Sequence, residues 1–169
     1  MNTQGDIKNI MKKELLEQTL DQINFELESS YLYLSMAAWA ADEGYPGTAK
    51  WMEHQAQEEV GHAMKMVHFL QEVNEKVEFK AVASTKAEFP GFIELFKLSL
   101  EHEKKVTARI NSLYEVSLAD KNYPMVQLFD WFIKEQVEEE STLVDIITRL
   151  EKVPTPIGIM MMDDRLAQR

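Results

Sequence analysis

The sequence contains no cysteine. That excludes a disulfide framework, a zinc ribbon, a thiolate-bound iron centre and a cysteine nucleophile, and it fits a reducing compartment. Long apolar runs are also missing, since no stretch approaches the roughly 18 residues of a membrane span. Residues 1–13 lack the apolar core and small-residue cleavage site of a secretory signal, so a cytoplasmic location with no membrane partner is expected. Positive charge is scarce: 18 Lys and Arg stand against 29 Asp and Glu, for a formal net charge of -11. A surface of that sign disfavours nucleic acid and anionic lipid and draws cations. Lys8, Lys12 and Lys13 form a small basic patch that reads as a solvated helix face rather than a DNA-binding arm.

What is present is a folded composition. With 45% hydrophobic residues, the 169-residue chain has enough apolar surface for one core, and a single domain over residues 1–169 is expected. Residues 7–41 carry no proline, and Leu16, Leu20, Ile23, Leu27, Ser30 and Leu34 recur at heptad-like steps, which predicts a long first helix. Gly44, Pro46 and Gly47 supply stop signals before a second helix over about 48–75, and the short loop makes these two an antiparallel hairpin. Residues 76–89 lose the helical period. Val77 to Val82 alternate as a strand would, but the length suits an extended crossover running along a bundle.

Pro90 suits the first turn of a third helix, on which Phe92, Phe96, Ser99, Glu103, Val106, Ile110 and Leu113 alternate in steps of four and three. A fourth helix over about 124–152 repeats the pattern with Met125, Phe129, Phe132, Gln136, Glu139, Leu143, Ile146 and Leu150. Pro154 and Pro156 break the chain before a short C-terminal helix over about 157–167, whose Met160–Met162 run suits an oligomer contact. The fold class is therefore all-α, a four-helix bundle (about 7–152) with one long crossover and a short fifth helix.

Polar residues intrude into the core stripes at one level. Glu59 and His62, at i and i+3, leave one helix face a turn apart, in line with Met52, Ala56, Ala63, Met66, Leu70 and Val73. Glu26 lies mid-way along the first helix, Glu103 on the third, and Gln136 with Glu139 on the fourth. Taken singly each has a bland reading: a solvated helical pair, a core-edge carboxylate reaching water, a buried amide hydrogen-bonded to a neighbour. Taken together, four carboxylates at one level repel one another unless cations lie between them. Paired divalent ions want such a set of bridging and terminal carboxylates with few imidazoles, and the oxygen-rich donors suit iron. Tyr33, two turns after Glu26, is placed to hydrogen-bond a ligand. His54, His68 and His102 lack partners at ligand spacing and read as surface imidazoles, while Trp131 and the ten methionines read as packing.

Three segments carry a resemblance: Asn24-Phe25-Glu26-Leu27-Glu28-Ser29-Ser30-Tyr31-Leu32-Tyr33, Ala56-Gln57-Glu58-Glu59-Val60-Gly61-His62, and Trp131-Phe132-Ile133-Lys134-Glu135-Gln136-Val137-Glu138-Glu139-Glu140. Together they resemble the ligand-bearing segments of non-haem bacterial ferritins, over nearly the whole chain. The resemblance implies a ferroxidase centre that oxidises Fe(II) with dioxygen or peroxide. Glu26, Glu59 and His62 would surround one iron with Gln136 close by. Glu59, Glu103 and Glu139 would hold the second, with Glu59 as the bridge. Glu58, Glu135, Glu138 and Glu139 match a third, more exposed iron site, and Tyr33 and Trp131 match aromatics beside the centre. It further implies iron storage as a ferric mineral inside a hollow homo-oligomer of about 24 subunits.

Departures from sister families narrow the expectation. Bacterioferritins and rubrerythrin-like peroxidases repeat E-x-x-H on the last bundle helix, where this chain has Gln136-x-x-Glu139. Val60 stands where a haem-binding relative would carry methionine, so no haem is expected, and the cysteine count forbids a rubrerythrin iron domain. Rival readings are a di-iron peroxidase or oxygenase that keeps its metals, a structural module whose carboxylates only tune assembly, and a DNA-coating mini-ferritin. The last is disfavoured because this chain supplies the ligand level from its own four helices.

Overall fold

The computed structural model describes residues 11–168 and orders them as α1 (Lys13–Asp42), α2 (Pro46–Glu72), α3 (Phe92–Ala119), α4 (Tyr123–Lys152) and α5 (Pro156–Leu166). No strand occurs among the described residues. The expected start of the first helix at Ile7 lies outside them, and the described part of α1 begins at Lys13. Gly44 at φ 82° turns the chain after α1, and Pro46 occupies the first turn of α2, where its missing N–H has no partner to lose. The resulting α1–α2 hairpin packs beside an α3–α4 hairpin.

Residues 73–91 form the crossover, with Asn74 at φ 61° ending α2. It is extended but has no sheet partner, because α1 holds it. The Lys80 N–H donates to Asn24 Oδ1 at 3.2 Å, the Lys80 ammonium pairs with Asp21, and the Ser35 hydroxyl donates to the Lys86 carbonyl. These ties run from Asp21 to Ser35 along α1, carrying the chain to the opposite end of the bundle. Pro90 lies outside α3, contrary to the sequence expectation. Phe89 is buried edge-on against Trp39, which keeps the backbone extended until Gly91 caps the helix.

The stripes expected on α3 and α4 are buried throughout. On α1 the leucine stripe is not the core: Leu16, Leu20 and Leu27 are half-buried and Leu34 is exposed. The inward face of α1 is instead Leu15, Thr19, Gln22, Ile23, Glu26, Ser29, Ser30 and Tyr33. Small and polar groups face inward there because the helix passes the level of the buried carboxylates Glu26, Glu59, Glu103 and Glu139. That level divides the core. On one side Met36, Met52, Phe96, Leu143 and Leu150 pack together, and on the other Ile23, Met66, Ile110, Phe129 and Phe132 do so.

The short α5 docks on the start of α2 through Asp163, whose carboxylate accepts from the N–H groups of Gly47 (3.1 Å) and Thr48 (2.7 Å) and from the Thr48 hydroxyl (2.7 Å). A buried anion at a helix N-terminus satisfies donors that have no partner within the helix. Gly47 is required for this approach, since a Cβ there would stand 1.9 Å from the Asp163 carbonyl oxygen. Met162 is buried by the docking, while Met160 and Met161 are exposed. No helix of the described residues is long and apolar enough to cross a membrane.

Candidate metal centre

Glu26, Glu59, Glu103, Gln136 and Glu139 come from four helices and are each less than a tenth exposed. Ligand atoms of Glu26, Glu59 and His62 lie within 4.8 Å of one another, as do those of His62, Glu135 and Glu139. The His62 Nδ1 is 3.4 Å from Glu59 Oε2, and its Nε2 is 3.9 Å from Glu135 Oε1. No protein donor reaches Glu26 Oε2 or either oxygen of Glu59, although all three are buried. Three orphaned carboxylate oxygens beside an imidazole are a costly arrangement for a protein on its own and a suitable one for a divalent cation.

The other candidate ligands are held by named donors. Glu103 Oε1 accepts from the Tyr33 hydroxyl at 2.6 Å and Oε2 from Gln136 Nε2 at 3.1 Å. Gln136 Nε2 also reaches Thr107 Oγ1 at 3.3 Å, and that hydroxyl donates to Glu140 at 2.6 Å. Gln55 Nε2 donates to Glu139 Oε2 at 2.9 Å. Gln22 Nε2 donates to Glu26 Oε1 at 2.8 Å and its carbonyl oxygen accepts from Arg109 Nε at 2.6 Å.

Burial and mutual repulsion set the electrostatics. Burial first and the Glu59 charge second push the Glu26 carboxyl well above the usual carboxylate range. Glu59 is raised likewise, by burial and then by Glu103, and Glu103 is raised by burial. Glu139 is raised to about 7, again by burial and then Glu103. The Tyr33 phenol is pushed up by burial and by Glu103, so it stays protonated and donates. A divalent cation reverses this logic by favouring every ionised carboxylate around it.

The sequence candidates fall into distinct groups. Glu26, Glu59, His62, Glu103, Gln136, Glu139 and Tyr33 all line the buried level, and Glu58 and Glu135 stand half-buried at its edge. Glu138 is exposed and outside both ligand clusters, because α4 turns it away from Glu135 and Glu139. Trp131 is not core packing: it stands 36% exposed, edge-on to His62, with the Lys65 ammonium 4.1 Å above its ring. An indentation of about 490 Å3, lined by Glu58, Gly61, His62, Met64, Lys65 and Trp131, opens from this side onto the imidazole.

His102 is not a surface imidazole either. It stacks on Phe25 at 5.3 Å and meets Ser29 Oγ at 2.7 Å, and burial lowers it to about 4. Gln22, Gln55, Thr107 and Arg109 escape the sequence reading. A usable signal was present for two of them, since Gln22 and Gln55 lie four residues before Glu26 and Glu59 and so share their helix faces.

Known proteins resemble this chain over most of its length. The ferritin-like domain family model matches residues 16–153. A bacterial non-heme ferritin of Staphylococcus haemolyticus is 38% identical over 144 residues, covering 85% of this chain and 87% of its own length. One from Staphylococcus aureus is also 38% identical, covering 83% and 87%. The open pore ferritin of the archaeon Archaeoglobus fulgidus superposes with a TM-score of 0.92 at 35% identity, covering 94% of this chain and 99% of that one. Family model, curated relatives and solved structures agree, and the chain belongs to the ferritin family.

Proposed function

We propose that this chain stores iron, oxidising Fe(II) at a paired ferroxidase centre and holding the ferric product as an oxyhydroxide mineral inside a closed cage of about 24 copies. The observation that carries this reading is the cluster of Glu26, Glu59 and His62, with three buried oxygens that no protein donor reaches. Fe(II) is the substrate. Glu26, Glu59 and His62 take the first ion with Gln136 nearby, and Glu59, Glu103 and Glu139 take the second, Glu59 bridging both. Two Fe(II) give up two electrons to one dioxygen, yielding peroxide, or to one peroxide, yielding water. The protein supplies spacing and charge compensation, and iron supplies the redox chemistry.

Gln136 is a neutral and therefore weak donor, which suits iron that moves on rather than a fixed cofactor. Glu58, Glu135 and Glu139 lead outward from the centre as the third site, and the exposed Glu138 completes that set. No haem belongs to this reading, since Val60 stands where a haem-binding relative would carry methionine. The acidic surface draws Fe(II) and repels nucleic acid.

The test is aerobic loading of the purified protein with excess Fe(II), read by native mass and iron content. A particle near 24 chains carrying ferric iron far above two per chain is expected. A monomer or dimer that stops at about two irons per chain would instead identify an enzyme that keeps its metals.

A further inference from the structure

The donor set leaves one question open: what decides which oxygen of Glu26 faces a metal ion. Glu26 is fully buried, with Oε1 taken by Gln22 Nε2 at 2.8 Å and Oε2 free of any protein donor. Gln22 is also fully buried, and an amide can turn over to present either its carbonyl or its NH2. Its far side meets Arg109 Nε at 2.6 Å. A guanidinium has donors only, so it accepts no hydrogen bond and admits one amide orientation, carbonyl toward α3 and NH2 toward Glu26. The Arg109 guanidinium is fixed in turn by the Phe25 ring, whose centroid lies 4.4 Å from it.

We propose that Arg109 is a positioning residue of the ferroxidase centre, acting through Gln22 to hold one oxygen of Glu26 and leave the other as a single, aimed metal ligand. Arg109 touches no candidate ligand itself. Its effect reaches the metal through two hydrogen bonds, because a flipped Gln22 would set a carbonyl oxygen against the carboxylate and push Glu26 out of line. The arrangement differs from that of Glu103, whose two oxygens are both held by donors. The two irons thus have unequally prepared ligands, with the Glu26 side offering a ready oxygen and the Glu103 side requiring a donor to yield.

This inference rests on the metal reading of the centre, and the test separates the two. The assembled full chain, stripped of iron, is titrated with Co(II), whose visible absorption reports both affinity and coordination number without turnover. Arg109→Met should weaken the tighter Co(II) by about 10-fold and change the band intensity, in the range seen when an outer hydrogen-bond partner of a ligand is lost. Arg109→Lys restores a donor to the Gln22 carbonyl and should recover most of the loss. Gln22→Leu should cost as much as Arg109→Met, and the double variant no more than either alone, because both act along one path. Arg109→Leu replaces Arg109→Met if the latter fails to assemble.

If Arg109 only ties α1 to α3, its loss lowers the melting temperature while Co(II) affinity and spectrum stay as in the parent, which overturns the proposal. Losses that multiply in the double variant overturn it as well. A parent protein that binds no Co(II) removes the metal reading and this inference together.

Discussion

Glu59→Gln should lower the initial rate of Fe(II) oxidation by about 100-fold or more, the largest effect of any single substitution in this chain. Glu59 is 1% exposed, neither of its oxygens meets a protein donor, and its surroundings are Glu26, His62, Glu103 and Glu139. It is the one carboxylate that serves both irons in the proposed assignment. The amide keeps the shape but offers one neutral oxygen, so it neither bridges nor compensates charge. Stopped-flow absorbance of the ferric product measures the effect, and a rate within a factor of about two of the parent would remove Glu59 from the bridge.

The second large effect is on stability. The iron-free protein should become less stable as pH rises from about 5 to 8. The sign follows from proton counting. The carboxyls of Glu26, Glu59, Glu103 and Glu139 are all held above their ordinary range in the folded chain, so the folded state binds more protons than the unfolded one. Their stabilising contribution is complete below the unfolded value near 4.5 and is lost as pH climbs through the folded values, which for Glu139 is about 7. Glu139 alone accounts for about 3 kcal/mol over that span, and His102, lowered to about 4 by burial, works the other way as pH rises to about 6.5, so the four carboxyls together set the sign.

Exposed pairs such as Lys76 with Glu78 titrate outside this window, the carboxylate on the acid side and the ammonium on the alkaline side, and add little. Chemical denaturation in chelator at pH 5.5 and pH 8 measures the difference, and Zn(II) should flatten it by favouring the ionised ligands. Glu59→Gln should also flatten it in part, gaining stability at pH 8 while losing activity. A chelated protein that grows steadily more stable from pH 5 to 8 would show that the carboxylates do not meet as described.

The fold was largely legible because α3 and α4 write their buried faces in large apolar residues at regular steps. Phe92 to Leu113 and Met125 to Leu150 are buried as their spacing predicts. α1 defeats the same reasoning. Its inward face holds Thr19, Gln22, Glu26, Ser29 and Ser30, because the space beside the buried carboxylates is filled by polar groups with partners, while Leu16, Leu20 and Leu27 pack at the flank and Leu34 faces outward. A hydrophobic period therefore selects a stripe that coincides with the buried face only at Ile23 and Ser30.

Arg109 is hidden because its meaning depends on a contact between helices that no local spacing reveals, whereas the four-residue step from Gln22 to Glu26 is a local signal. His102 was misread because its neighbours Phe25 and Ser29 come from α1. The candidate ligands that meet at the buried level were legible as intrusions, since a carboxylate or imidazole in line with a core stripe has a physical cost that only a partner offsets. Glu138 shows the limit of motif matching. It sits within an acidic run, yet helical rotation sends it to solvent while Glu135 and Glu139 turn inward.

The most direct test of the paired centre is the stoichiometry of the fast oxidation phase. Small increments of Fe(II) are mixed aerobically with the iron-stripped protein, and the rapid ferric absorbance is followed to saturation. A sharp break at about two Fe(II) per chain is the predicted result, one for each side of Glu59. A break at one, or a slow rise with no break, would contradict a centre in which Glu59 joins two irons.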